Sequence, residues 1–113
     1  MIEREVEVSN RLGIHARPAS LIVKLASQYA SSINFIKDGE SGDAKSIMNI
    51  LMLAAEHKSK ILIQASGPDE KIAIESIIKF FKNDFEIDNS TITLFKNFEE
   101  DKSLYNLLNK NFE

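Results

Sequence analysis

The chain has 113 residues, 43% of them apolar and 27% charged, with a formal net charge of −3; this is one globular domain's worth of sequence and excludes wholesale disorder and fibrous repeats. It contains no cysteine, which removes disulfides, thiol nucleophiles and cysteine-based zinc sites, and its two histidines, His15 and His57, are too few for a structural zinc site built from several imidazoles. No apolar run approaches the roughly 20 residues needed to span a bilayer, and the charged opening Met1-Ile2-Glu3-Arg4-Glu5 is unlike a secretion signal, so the expected compartment is the cytoplasm.

Residues 2–8, Ile-Glu-Arg-Glu-Val-Glu-Val, alternate apolar and charged side chains toward the end, the pattern of a half-buried strand. From Ala16 to Tyr29 the period changes: Ala19, Ile22, Val23, Ala26 and Tyr29 recur at steps of three and four, the stripe of a helix facing a core. Ser32 to Ile36 returns to strand composition. Asp38-Gly39 is a tight-turn signal that predicts a hairpin into residues 40–43. Ser46 opens a second, short helix as its N-cap, with Ile47, Ile50, Leu51 and Ala54 as the apolar face. Ile61 to Ala65 reads as a buried strand, and Gly67-Pro68-Asp69-Glu70 as helix-start punctuation. Ala73, Ile74, Ile77, Ile78 and Phe81 form the third helical stripe. The order β-α-β-β-α-β-α predicts an α+β fold: a four-stranded antiparallel sheet with three helices on one face.

Beyond Lys82 the pattern weakens. Asn89 to Phe95 reads as a strand and Asp101 to Asn109 as a short helix. Residues 83–113 hold 3 basic and 7 acidic side chains, against 11 and 10 in residues 1–82. The chain thus divides into a body, 1–85, and an acidic extension, 86–113. The extension's apolar residues predict that it packs on the body or on a second chain.

Chemistry concentrates in Gly13-Ile14-His15-Ala16-Arg17-Pro18-Ala19. His15 stands where a glycine-containing loop meets the first helix. Pro18 falls in that helix's first turn, where a missing N–H costs nothing. With His15 as N-cap, the backbone N–H groups of Ala16 and Arg17 and the positive helix end lie near its ring. A helix N-terminus stabilises an anion by about 0.3–1 kcal/mol and disfavours imidazolium, keeping a nitrogen lone pair for attack. A phosphoryl group on that nitrogen would sit where helix ends bind phosphate, and Arg17 adds a planar fork of donors suited to its oxygens. Taken on residue type alone, a histidine before a helix is more often a surface N-cap; His15, Arg17, Gly13 and Pro18 together suggest a transient phosphohistidine. His57, with no arginine or helix start beside it, reads as a surface residue.

These residues resemble the histidine-containing phosphocarrier proteins (the HPr family) of the bacterial sugar phosphotransferase system. The resemblance rests on Gly13 to Ala19, then Lys45-Ser46-Ile47-Met48, then Ala65-Ser66-Gly67 with Asp69-Glu70 and Ala73, three blocks at the family's spacing that cover roughly residues 1–85. It implies an open-faced β-sandwich. It also implies that His15 accepts a phosphoryl group on Nδ1 from enzyme I, which draws it from phosphoenolpyruvate, and passes it to the EIIA domain of a sugar permease. Arg17 would assist transfer. Ser46 matches the position that an ATP-dependent serine kinase/phosphorylase modifies in many Gram-positive relatives. Ser20, Leu21, Lys24, Lys45, Ile47, Met48 and Leu51, with the nearby Met52, would form the partner-binding surface, and Arg11, Arg17, Lys24 and Lys45 its basic rim. No cofactor or metal is implied. A tail carboxylate that reached Arg17 would compete there with phosphate.

Three other readings compete. A nitrogen-type relay, with its own enzyme I-like donor and no sugar permease, would share every motif. A nucleic-acid-binding module is disfavoured by the negative charge and the lack of a basic–aromatic strand motif. A hydrolase using His15 as nucleophile would need a second acid or base beside it, which the neighbouring sequence does not offer.

Overall fold

The computed structural model describes residues 1–95. Four strands, β1 (Ile2–Glu7), β2 (Ser32–Lys37), β3 (Glu40–Asp43) and β4 (Lys60–Ser66), alternate with three helices, α1 (Ala16–Ala26), α2 (Ile47–Met52) and α3 (Glu70–Lys82). The sheet order is β1-β4-β2-β3 and every pairing is antiparallel. Since β1 and β2 both run against β4, they are parallel to each other, and β1-α1-β2 is a βαβ unit split by the inserted β4. Likewise β3-α2-β4 is split by β2. The predicted order of elements and the open-faced sandwich are therefore the observed ones.

Period-2 alternation assigns the faces. Ile33 and Phe35 of β2 and Ile61, Ile63 and Ala65 of β4 are buried, and Phe35 lies opposite Ile63 in the ladder. The helices cover this face with Ala19, Leu21, Ile22 and Leu25 of α1, Ile50 of α2, and Ala73, Ile74, Ile77, Phe80 and Phe81 of α3. Each fully buried Ile or Phe contributes about 1.5–3 kcal/mol relative to exposure. Asp38 and Gly39, at φ 51° and 81°, make the β2–β3 turn with both central residues left-handed, as the Asp-Gly pair predicts.

Two expectations shift at helix ends. The first helix was expected to reach Tyr29 but stops at Ala26. The N–H groups of Gln28 and Tyr29 turn back to Leu25 and Ala26 at 3.2 Å, and the next two, on Ala30 and Ser31, are taken by the carboxylate of Asp69 at 2.9 Å. The second helix ends at Met52, and Ala54, expected on its apolar face, is an exposed residue at φ 50°.

The strand expected over 89–95 is absent. Asp88 instead accepts from the N–H and hydroxyl of Ser90, its carbonyl receives Thr91 and Ile92, and Ile92–Leu94 form a 3-10 turn. Ser, Thr and Asp side chains here bond the local backbone, offering it an alternative to a ladder. The segment packs on the helices. Phe95 is buried, edge-on to Phe80 at 5.3 Å, and Gln28 Nε2 donates to the Leu94 carbonyl at 2.8 Å. The helix expected over 101–109 lies outside the described residues.

Candidate functional site

The topology assembles the site at one end of the molecule. The chain leaves β1 at Glu7, crosses a loop and turns down into α1. That loop is clamped on both sides. Val8 exchanges backbone bonds with Lys58 and Ser59 at 2.7 and 2.8 Å, and Ile14 N–H donates to the Ala55 carbonyl at 2.9 Å. The Asn10 side chain accepts from Leu12 N–H and its carbonyl from Gly13 N–H. Gly13 itself sits at φ 69°, where a Cβ would collide with the Ala55 carbonyl and Glu56 Cα. Only glycine fits both the conformation and the close approach.

His15 follows as the N-cap of α1, with extended backbone (φ −96°, ψ −166°) and no side-chain capping bond. Its carbonyl opens the helical ladder by accepting from Ala19 N–H at 2.9 Å. The N–H groups of Ala16 and Arg17 lie ahead of the first intrahelical bond of that ladder. The ring is half-buried, and its pKa is lowered from 6.5, first by burial and second by the charge of Arg17. Both causes favour the neutral imidazole that a nucleophile requires.

Arg17 is more enclosed than a helix-surface arginine. It is only 6% exposed, and its Nε and one terminal nitrogen have no hydrogen-bond partner among the described residues. That nitrogen lies 3.5 Å from a carboxylate oxygen of Glu86. Buried guanidinium donors are costly to leave unpaired, so this group is poised for an anion with more acceptor oxygens than the exposed carboxylate supplies. The meeting of Arg17 and Glu86 follows from the antiparallel run of α1 and α3, which sets the first turn of one beside the last turn of the other. Reading the sequence alone left the identity of the tail carboxylate open.

The expected partner surface divides. Met48 is 62% and Met52 75% exposed, Ile47 is exposed, and Leu12, in the loop before His15, is 73% exposed. Ser20, Lys24, Lys45 and Leu51 are half-buried; Lys45 Nζ donates to the Tyr29 carbonyl at 2.7 Å. Leu21 departs from the expectation: at 2% exposed it packs in the core, because steps of four from Arg17 and three from Pro18, both buried, turn it to the sheet-facing stripe of α1. Ser46 caps α2, its hydroxyl accepting from Asn49 N–H at 3.3 Å and from Asn49 Nδ2 at 2.8 Å. His57 is exposed in the loop between α2 and β4.

Comparison with known proteins identifies the family. A family model described as the PTS HPr component phosphorylation site matches residues 2–83. The chain is 43% identical over 86 residues to the phosphocarrier protein HPr of Treponema pallidum (strain Nichols), covering 76% of this chain and 98% of that one. It is 42% identical over 86 residues to the phosphocarrier protein NPr of Proteus mirabilis (strain HI4320), covering 75% and 96%. Among solved structures, HPr-C-His from Thermoanaerobacter tengcongensis superposes with a TM-score of 0.75 at 36% identity, over 78% of this chain and 99% of that one.

Proposed function

The chain belongs to the HPr family of phosphotransferase-system phosphocarriers, and from that premise we propose that His15 receives a phosphoryl group from enzyme I, originally from phosphoenolpyruvate, and delivers it to EIIA domains of sugar permeases in the cytoplasm. The lone pair of neutral His15 Nδ1 attacks phosphorus, the bond from phosphorus to the donor breaks, and the Nε2 proton is released from the resulting imidazolium. The new phosphoryl oxygens meet the N–H groups of Ala16 and Arg17 and the Arg17 guanidinium. Return is the same path reversed, which suits a relay in which neither adduct is much more stable than the other.

The observation that carries this reading is the half-buried, electrostatically neutral-biased ring of His15 at the start of α1, beside a buried arginine with unfilled donors. The exposed Leu12, Ile47, Met48 and Met52 offer an apolar docking face, with Ser20, Lys24, Lys45 and Leu51 at its margin. Arg11, Lys24 and Lys45 give it a basic rim that favours acidic partners and fast, salt-sensitive encounter. Phosphorylation of Ser46 by a serine kinase/phosphorylase is the regulatory part of the proposal. A phosphate there would give up the present bonds from Asn49 and add about two negative charges beside the docking face.

The test is to incubate the protein with phosphoenolpyruvate and its cognate enzyme I and map the adduct by mass spectrometry. An acid-labile, base-stable phosphate on His15, absent from His15→Ala, is expected; no transfer from the cognate enzyme I would overturn the carrier reading. The similarity to an NPr favours one second reading, a nitrogen-type relay, which transfer to a nitrogen-type EIIA and to no sugar EIIA would select.

A further inference from the structure

Past α3 the chain doubles back. Asp84 and Phe85 turn it with left-handed backbone, at φ 53° and 61°, and the segment that follows lies between α1 and α3. Phe95 is buried against Phe80 of α3, while Gln28 Nε2, just past α1, holds the Leu94 carbonyl at 2.8 Å. Residues 96–113 therefore start beside the end of α1, the helix that His15 opens. The family model stops at residue 83, so this stretch lies wholly outside it. Its sequence sets an acidic run, Glu99-Glu100-Asp101, ahead of Leu104, Tyr105, Leu107 and Leu108.

Apart from Met1, the large apolar side chains exposed among the described residues fall in two places. Ile72 is 62% exposed at a groove it shares with Tyr29, Ser76 and Leu94. Its charged neighbours in sequence are Asp69, Glu70, Lys71 and Glu75, three acids to one base, which repel an acidic run. The larger patch is Leu12, Met48 and Met52, 62–75% exposed, with Ile47 at 37%. The bond from Ile14 N–H to the Ala55 carbonyl brings Leu12 beside the end of α2. Here Arg11, Lys24 and Lys45 outnumber Asp43 and Glu56. Distance allows the larger patch: at about 1.5 Å per helical residue, Lys24 lies about 6 Å and His15 about 20 Å along α1 from Gln28. An extended chain spans about 3.3 Å per residue, so Leu104, ten residues past Leu94, reaches up to about 33 Å.

We propose that residues 96–113 dock on the face beside His15, with Leu104, Leu107 and Leu108 against Leu12, Met48 and Met52 and the acidic run against the basic rim. The consequence rests on the carrier reading above: a protein approaching His15 must first displace the chain's own segment. A short tether gives an effective concentration of about millimolar. A contact too weak to persist between separate molecules is then enough to cover the face for much of the time, and it yields to a tighter-binding partner.

The test compares the full chain with a Leu104→Ser, Leu107→Ser, Leu108→Ser variant by amide NMR at two protein concentrations. Shifts are expected at Leu12, Met48 and Met52, equal at both concentrations. A second variant, Glu99→Lys, Glu100→Lys, Asp101→Lys, moves the same amides, and high salt moves them in the parent, because charge screening loosens the contact. Shifts confined to Tyr29 and Ile72, shifts that grow with concentration and so report a second copy, or no shifts at all overturn the proposal. Transfer supplies the other readout. With the cognate enzyme I, the half-saturating concentration of the triple-serine variant falls about twofold to fivefold, as uncovering a partly masked face requires; an equal or higher value overturns the masking. The NMR comparison involves no enzyme, so a chain that covers its face yet takes no phosphoryl group fails the carrier reading separately.

Discussion

Gly13 and Ala55 face each other with no room for a side chain between them, and this contact fixes where His15 stands. A Cβ on Gly13 would drive into the Ala55 carbonyl and lie 2.9 Å from Glu56 Cα, both backbone atoms, on top of the strain of φ 69°. Gly13→Ala should therefore lower stability by at least about 2 kcal/mol and slow phosphorylation of His15. Chemical denaturation and a phosphorylation time course check it; an unchanged unfolding midpoint would show that the loop at Ala55 simply moves aside.

The protonation of His15 gives a second prediction with a definite sign. Its pKa is depressed below 6.5 by burial first and Arg17 second. The unfolded chain therefore binds the extra proton over the interval below 6.5, so this residue's contribution to stability is present above that pH and is lost as pH falls through the folded value. Phosphoryl acceptance should follow the neutral ring and decline as pH falls through the lowered folded value. Arg17→Ala should raise the midpoint but leave it under 6.5, because burial remains. Arg17→Lys should keep the midpoint low while slowing transfer about tenfold, since an ammonium carries the charge without the fork. An NMR pH titration of each variant decides this.

Ser31 and Asp69 tie the start of β2 to the start of α3. The Asp69 carboxylate accepts from the Ser31 hydroxyl and from the N–H groups of Ala30 and Ser31, while Asp69 N–H donates back to Ser31 Oγ at 3.2 Å. Ser31 is buried, and Ser31→Ala should cost about 1–2 kcal/mol. The hydroxyl of Ser31, then the N–H of Ala30, hold the Asp69 pKa below 3.8. The tie is intact above 3.8 and weakens as pH falls through the depressed value. Acid titration of the parent and of Ser31→Ala should differ most in that interval; identical acid curves would count against the linkage.

Phe95 anchors the segment that follows α3. Replacing it with alanine removes the ring that meets Phe80 edge-on and should cost about 3 kcal/mol. Hydrogen exchange should then speed at Thr91 and Leu94, whose N–H groups bond within the same turn. Asp88, whose pKa is lowered to about 2 chiefly by the Ser90 hydroxyl, should keep this turn formed until strongly acid pH. Unchanged stability in Phe95→Ala would mean that the segment contributes nothing to the body.

Much of this was readable from the chain, for physical reasons that differ by place. The Asp38-Gly39 hairpin was legible because two left-handed residues in succession need that chemistry. The site loop was legible because Gly13, His15, Arg17 and Pro18 each answer a distinct local demand of a helix start. The end of α1 was not, since its stripe runs on to Tyr29 and only Asp69, far along the sequence, takes the next N–H groups. The strand expected over 89–95 failed because β-branched composition was outweighed by side chains that bond the nearby backbone. The burial of Leu21 depended on which way α1 is turned on the sheet. The pairing of Arg17 with Glu86 hangs on a left-handed turn made by Asp84 and Phe85, neither of which advertises one.

Both outer strands of the sheet carry acids. β1 brings Glu3, Glu5 and Glu7 to one border and β3 brings Glu40 and Asp43 to the other. Two copies approaching border to border would set like charges against each other, a recognised safeguard against open-ended ribbon growth. Strand addition is thereby disfavoured at both borders.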